Sequence, residues 1–139
     1  MVTIIDGTDM ILGRLASGIA KRLIKGEEVH LINCEKIIIS GKQPIIMGEY
    51  LQRRRLQQKA TPEFSPKWPK SPNLLVRRII RGMLPFKKAK GKAAFKRLRV
   101  YIGAPELKGD VVKIDSARNN GLRYFMPIGK ICKQLGASW

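Results

Sequence analysis

The side chains that could do chemistry here are cations, and they are crowded. Arg77, Arg78 and Arg81 come close together, and Lys87, Lys88, Lys90, Lys92, Lys96, Arg97 and Arg99 follow. Arg53, Arg54 and Arg55 stand upstream, with Lys67 and Lys70 in between. A guanidinium offers a planar fork of donors that fits two phosphate oxygens, and an ammonium is a compact charge for the same group. From Phe64 to Pro105 there are twelve bases and no Asp or Glu. The chemistry this implies is the holding of a polyanion through its phosphates.

The residue sets that catalysis or metal binding would need are missing. Gly13 and Gly18 are spaced like the outer glycines of a phosphate loop, but Ile19 and Ala20 stand where that loop needs Lys and Ser or Thr. His30 is the only histidine and falls in a strand pattern, so it reads as a core or edge residue rather than a general base. His30, Cys34 and Cys132 match no zinc spacing. Asp6 and Asp9 face no evident nucleophile. The expectation is a protein that is not an enzyme, with no cofactor, no metal ion and no small-molecule substrate. An RNA-modifying enzyme on a small α/β scaffold is the weakest alternative.

The formal net charge is +18, from 28 Lys and Arg against 10 Asp and Glu. Such a surplus repels itself in a compact chain and calls for an anionic partner. Residues 1–36 carry five bases and five acids, so the excess lies in the centre and not at the front. This predicts a neutral folded part presenting one cationic face. No apolar run is long enough to span a membrane, and no signal-peptide pattern opens the chain. Cys34 and Cys132 lie in apolar surroundings and read as two buried thiols in a reducing cytoplasm, with a disulfide as the alternative.

Periodicity supplies the elements that must carry these cations. Val2 to Ile5 predicts a strand, Asp6-Gly7 a turn, and Thr8 or Asp9 a cap for a helix with Leu12, Leu15, Ile19 and Leu23 inward. Gly26 suits the left-handed residue that closes it. Val29 to Asn33 and Ile37 to Ile39 are β-branched, nearly all-apolar runs, as in strands covered on both faces. The pattern predicts a three-layer α/β/α domain with a small, mostly parallel sheet, built around a right-handed βαβ unit and spanning 1–139 as a single domain.

A second helix is expected from about Pro44 to Gln57, with Arg53, Arg54 and Arg55 in its last turns, where the helix dipole favours cations. A third runs from a Ser71 cap and Pro72 to the break at Gly82 and Pro85, with Leu75, Ile79 and Met83 inward, widened by Val76 and Ile80. Val100 to Ile102 reads as a buried strand and Val111 to Ile114 as a short extra one. Pro127 opens a last helix with Ile128, Ile131, Cys132 and Leu135 on one face. Trp139 is expected to dock on the body.

Between the second and third helices, residues 58–72 form a basic arm punctuated by Pro62, Pro66, Pro69 and Pro72, too dense for helix or central strand. One reading lays this arm on RNA, with Phe64 and Trp68 stacking on bases and Lys67 and Lys70 on phosphates. The other folds it back with both aromatics pinned to the core.

These motifs carry a family resemblance. Arg81-Gly82-Met83-Leu84-Pro85, Gly91, and Phe95-Lys96-Arg97-Leu98-Arg99-Val100-Tyr101-Ile102-Gly103 resemble the core motif of the universal large-subunit ribosomal protein family numbered thirteen in the bacterial series. Ile5-Asp6, Leu12-Gly13-Arg14-Leu15-Ala16-Ser17, Val29 to Asn33 and Ser40-Gly41 match in the same order. Ile128-Gly129-Lys130 to Leu135-Gly136 is similar to the archaeal and eukaryotic branch, although the arm departs from that branch's histidine-containing motif. The resemblance implies a structural protein of the cytoplasmic ribosome that clamps ribosomal RNA beside neighbouring ribosomal proteins. Arg53, Arg54, Arg55, Arg77, Arg78 and Arg81 would bridge phosphates, Lys87 to Lys96 with Arg97 would complete the patch, and Gly82 would serve backbone geometry rather than contact. The alternatives are a DNA-binding regulator that inserts Arg77, Arg78 and Arg81 into a major groove, or a binder of another structured RNA.

Overall fold

The structure is a computed structural model and describes residues 2–138, so the docking expected of Trp139 lies outside the described residues. Strand β1 (Val2–Asp6) leads through helix α1 (Leu12–Ile24) to strand β2 (Glu28–Ile32), which lies parallel to β1 from Val2 beside Glu28 to Asp6 beside Ile32. Strand β4 (Leu98–Val100) joins the far side of β2, and strand β5 (Val111–Val112) joins the free side of β1, both parallel. The sheet order is β4-β2-β1-β5, and the fold is α/β with a small parallel sheet. The strand expected over Val100 to Ile102 is centred two residues earlier, although the Tyr101 N–H still donates to the Leu31 carbonyl at 2.8 Å.

Strand β3 (Ile38–Ser40) does not enter this sheet. Asn33 adopts a left-handed φ of 54° and Cys34–Lys36 forms a 3-10 turn, which swings the chain away after β2. The place beside β2 is taken by β4. β3 pairs antiparallel with strand β6 (Phe125–Pro127), which runs directly into helix α5 (Ile128–Gln134). Ile38 is buried all the same and Ile39 half-buried against the core, which is why β3 reads like a sheet strand in the sequence.

Helix α1 buries Leu12, Leu15, Ala16, Ile19, Ala20 and Leu23. These join Ile5, Val29, Leu31, Leu98 and Val100 of the sheet, together with residues of helix α3 (Pro72–Gly82) and α5, in one apolar core. Neither Thr8 nor Asp9 caps α1, which starts at Leu12 without a side-chain cap. Asp9 takes a left-handed φ of 58°, and Thr8 turns back to Asp6. Gly26, at φ +101°, closes α1 as expected. The ring of Tyr101 lies 5.8 Å from that of His30, which also meets Glu28 at 3.1 Å and is half-buried on the central strand β2 rather than at a sheet edge.

The front of the molecule satisfies its charges internally. The Asp6 carboxylate accepts from the Thr8 N–H at 3.0 Å, the Thr8 hydroxyl at 2.7 Å and the Asn33 amide at 3.0 Å, with the Lys113 ammonium at 3.7 Å. Burial pulls the Asp6 pKa up, but these hydrogen bonds, led by Asn33 and aided by Lys113, hold it below the ordinary 3.8. Arg22 pairs with Glu27 at 3.3 Å, and Glu35 accepts from the Gly103 N–H at 3.0 Å. Cys34 and Cys132 are free buried thiols, each pushed up to about 12 by burial, with no disulfide between them.

Candidate nucleic-acid interface

Helix α2 (Gln43–Arg55) turns Ile46 and Tyr50 inward and ends on Arg53, Arg54 and Arg55, at the negative end of its dipole. The arm that follows turns back on the body. Ser65 closes it onto Gln58, accepting from the Gln58 N–H at 2.7 Å, and Pro62–Phe64 makes a 3-10 turn. The chain then brings Trp68 between two guanidinium groups, Arg53 at 4.8 Å and Arg78 of α3 at 4.2 Å from its ring centroid. Arg54 donates to the Trp68 carbonyl, and Arg78 to the Lys67 carbonyl. An irregular segment has carbonyls without ladder partners, and these two lie between Pro66 and Pro69, which supply no N–H. The arginines fill that role.

The two readings of the arm therefore divide between its aromatics. Trp68 is folded back against the core, while Phe64 stands out at 73% exposure. Lys67 and Lys70 are exposed.

Helix α3 buries Leu75, Val76 and Ile80, but Met83, expected inward, is exposed because the helix ends at Gly82 before its stripe comes round again. Ser71 sits at the cap position without capping. Its hydroxyl bonds the Asn73 side chain, whose oxygen also accepts from the Leu74 N–H at 2.9 Å. The remaining α3 arginines also lie on rings, Arg77 over Phe95 and Arg81 over Phe86, each at 4.8 Å. Those two phenyl rings meet edge to face at 5.6 Å, so two arginines and two phenylalanines tie α3 to the next element.

That element is helix α4 (Ala89–Lys96), which the sequence analysis did not anticipate. Lys87, Lys88, Lys90, Lys92 and Lys96 are all exposed on or beside it. Lys87, Lys88 and Lys90 crowd its N-terminus, the positive end of the dipole, where cations are unfavourable. An anion at this end would offset both the dipole and the crowding. Arg97 turns the other way and donates to the Leu23 carbonyl at the end of α1, at 2.7 Å. The Nε groups of Arg77 and Arg97 are buried without a protein partner.

The α1 start, α2, Trp68 and α3 enclose an open cleft of ≈ 680 Å³. Arg14, Arg53, Arg78 and Arg81 line it, and none of its lining residues is acidic. Glu49, one turn before Arg53 and bonded to it, is the nearest carboxylate partner of this group among the described residues. The Arg78 pKa is lowered by burial and then by the neighbouring charge of Arg81. Arg81 and Gly82 also line a second cleft of ≈ 500 Å³ with Lys87 and Lys88, so the two concavities adjoin. Arg14 was not among the residues read as cationic contacts. The signal available for it was its place in the Leu12-Gly13-Arg14 motif, since by charge alone it belongs to the neutral front.

An α/β domain whose acid-free face gathers arginines on aromatic rings, with lysines at a helix N-terminus, has the electrostatic footprint of a polyanion-binding protein. Among the described residues, no cluster of His, Cys, Asp and Glu could hold a metal ion, and no helix is long and apolar enough to cross a membrane. The family model "Ribosomal protein L13" matches residues 1–107. The large ribosomal subunit protein uL13 of Methanosphaera stadtmanae is 46% identical over 100% of this chain and 100% of its own length. Those of Methanopyrus kandleri and Methanocaldococcus jannaschii are each 42% identical, over 96% and 99% of this chain and 86% and 100% of their own. The chain belongs to the ribosomal protein L13 family.

Proposed function

We propose that the protein is a structural constituent of the cytoplasmic large ribosomal subunit and holds ribosomal RNA against its cationic face, with neighbouring ribosomal proteins as its other partners. The observation that carries this reading is the cleft lined by Arg14, Arg53, Arg78 and Arg81 without an acidic residue, continuous with the Lys87 and Lys88 cleft. Four guanidiniums gathered with Glu49, bonded to Arg53, as their one paired carboxylate among the described residues are costly unless an anion supplies the rest of the counter-charge. The rings beneath Arg53, Arg78 and Arg81 hold those forks in place before RNA arrives, which reduces the side-chain entropy lost on binding. Arg53, Arg54, Arg55, Arg77, Arg78 and Arg81 with Lys67 and Lys70 form one side of the face, and Lys87, Lys88, Lys90, Lys92 and Lys96 the other, while Arg97, bonded to the Leu23 carbonyl, stands apart from it. The work is positioning and charge neutralisation rather than turnover, carried out by one α/β domain with the arm 58–72 closed over it.

Contact with structured RNA is favoured over a DNA-reading helix by the state of α3. Its arginines lie on Trp68, Phe95 and Phe86 and do not project freely enough to enter a major groove. The test is salt dependence of binding to a large-subunit ribosomal RNA transcript. With roughly six to ten phosphates neutralised, affinity falls roughly 10³–10⁵-fold between about 50 and 200 mM salt by the duplex estimate, and less steeply for single strands. A nearly flat plot of log affinity against log salt removes the reading.

A further inference from the structure

Most of the glycines have a reason inside the protein. Gly91 lies within α4, where a Cβ would stand 2.0 Å from the Pro85 carbonyl oxygen, so only glycine lets the helix pack on that turn. A Cβ at Gly7 would meet Ile37 at 2.7 Å, and one at Gly129 would meet the Glu35 carbonyl at 3.0 Å. Gly26, Gly41, Gly103, Gly109, Gly121 and Gly136 hold positive φ angles that disfavour any side chain.

Gly13, Gly48 and Gly82 have neither reason. All three lie in helices, outside the positive-φ set, and a Cβ at each would meet nothing within 4 Å. Glycine in a helix costs roughly 0.5–1 kcal/mol relative to alanine, so the fold alone would favour alanine at each. Two of the three, Gly13 and Gly82, line the arginine cleft, and Gly48 lines neither cationic cleft. Gly13 is flanked by Arg14 and lies in the first turn of α1, which no side chain caps. Gly82 follows Arg81 and is shared by both cationic clefts. The two bare stretches of main chain thus sit among the guanidiniums, where a methyl group would take up the space an incoming phosphate needs.

We propose that Gly13 and Gly82 are contact residues at which the RNA sugar-phosphate backbone comes down onto bare helix main chain, between Arg14, Arg53, Arg78 and Arg81. The ligand is a backbone segment read for its phosphates and shape, not its base identities. It runs from the start of α1 across the end of α3 toward Lys87 and Lys88. The inference rests on the RNA-binding reading above and adds to it: the glycines make room that the arginines alone would not provide.

Gly13→Ala, Gly82→Ala and Gly48→Ala, each in the full chain, are compared for melting temperature and for affinity to a large-subunit ribosomal RNA transcript at fixed salt. All three are expected to melt at the parent temperature or up to about 2–4 °C above it. Gly13→Ala and Gly82→Ala bind RNA about tenfold more weakly, while Gly48→Ala binds like the parent. A gain in thermal stability paired with a loss of binding is what a contact role predicts and a structural role does not. Parental binding by both cleft variants overturns the inference, as does an equal loss in Gly48→Ala. A Lys88→Gln, Lys90→Gln double variant separates the two levels. If it binds more weakly while the cleft glycine variants bind like the parent, RNA binding by the basic face stands and the close approach falls. If it and both glycine variants all bind like the parent, both readings fall.

Discussion

The βαβ unit at the front and the α3–α4 segment in the centre handle charge in opposite ways. In the front, each carboxylate discussed above has a partner within the fold. Asp6 collects Thr8, Asn33 and Lys113, Glu27 meets Arg22, and Glu35 meets the Gly103 amide. In the centre there is no acid from Phe64 to Pro105, so the arginines are held by what remains, aromatic faces and main-chain carbonyls. Those contacts fix direction without cancelling charge. Apart from Arg14, which lines the cleft at the start of α1, the front is thus electrostatically closed, while the centre keeps its field available to a partner. The cations of the face divide again: Arg53 of α2 and Arg77, Arg78 and Arg81 of α3 rest on rings, while Lys87, Lys88, Lys90 and Lys92 are exposed on or beside α4.

The largest test of this division is in the front. Leu15→Ala or Ile19→Ala empties a fully packed site between α1 and the sheet and should cost ~2–5 kcal/mol of stability by chemical denaturation. RNA affinity of the folded fraction should barely change. Neither side chain lines the arginine cleft, so loss of RNA binding by either variant at unchanged stability would extend the interface from Gly13 and Arg14 into the packed face of α1 and dissolve the contrast.

The next test targets the arm. Trp68→Ala removes two cation–π contacts worth roughly 0.5–1 kcal/mol each and frees Arg53 and Arg78 from the ring. Trypsin should then cut after Lys67 and Lys70 much faster than in the parent. Cleavage at the parental rate would mean that the carbonyl bonds from Arg54 and Arg78 hold the arm without the ring.

The smallest effect concerns acid. Because the Asp6 pKa is lowered on folding, its contribution is fully present above the unfolded carboxylate pKa and is lost as pH falls through the lower folded value. Melting temperature should therefore decline below about pH 4, and Asp6→Asn should flatten that decline. A parental acid profile in Asp6→Asn would show that the front does not rely on this carboxylate.

Helical spacing and β-branched runs were enough to place α1, α2, α3, α5, β1 and β2, because each buries one continuous stripe whose period survives in the residue order. The acid-free stretch was equally legible, since charge is additive along a chain. α4 was not, because only Gly91 and Ala94 are buried in it and five lysines obscure so thin a stripe. β3 and the arm failed for another reason. The composition of Ile37 to Ile39 marks a buried strand without saying which strand it joins, and a tryptophan among prolines reads the same whether it meets RNA or two arginines.

The residue order therefore determined the class of fold, the neutral front, the cationic centre and the family. These depend on local propensity and on sums over residue types. Only the tertiary structure decided that Arg14 joins Arg53, Arg78 and Arg81 around one cleft, that Trp68 is the ring beneath two of them, and that Gly13 and Gly82 lie bare at its edge. Each of these relations links residues far apart in the chain. Whether such residues meet is set by how the core packs, and no local period in the sequence encodes it.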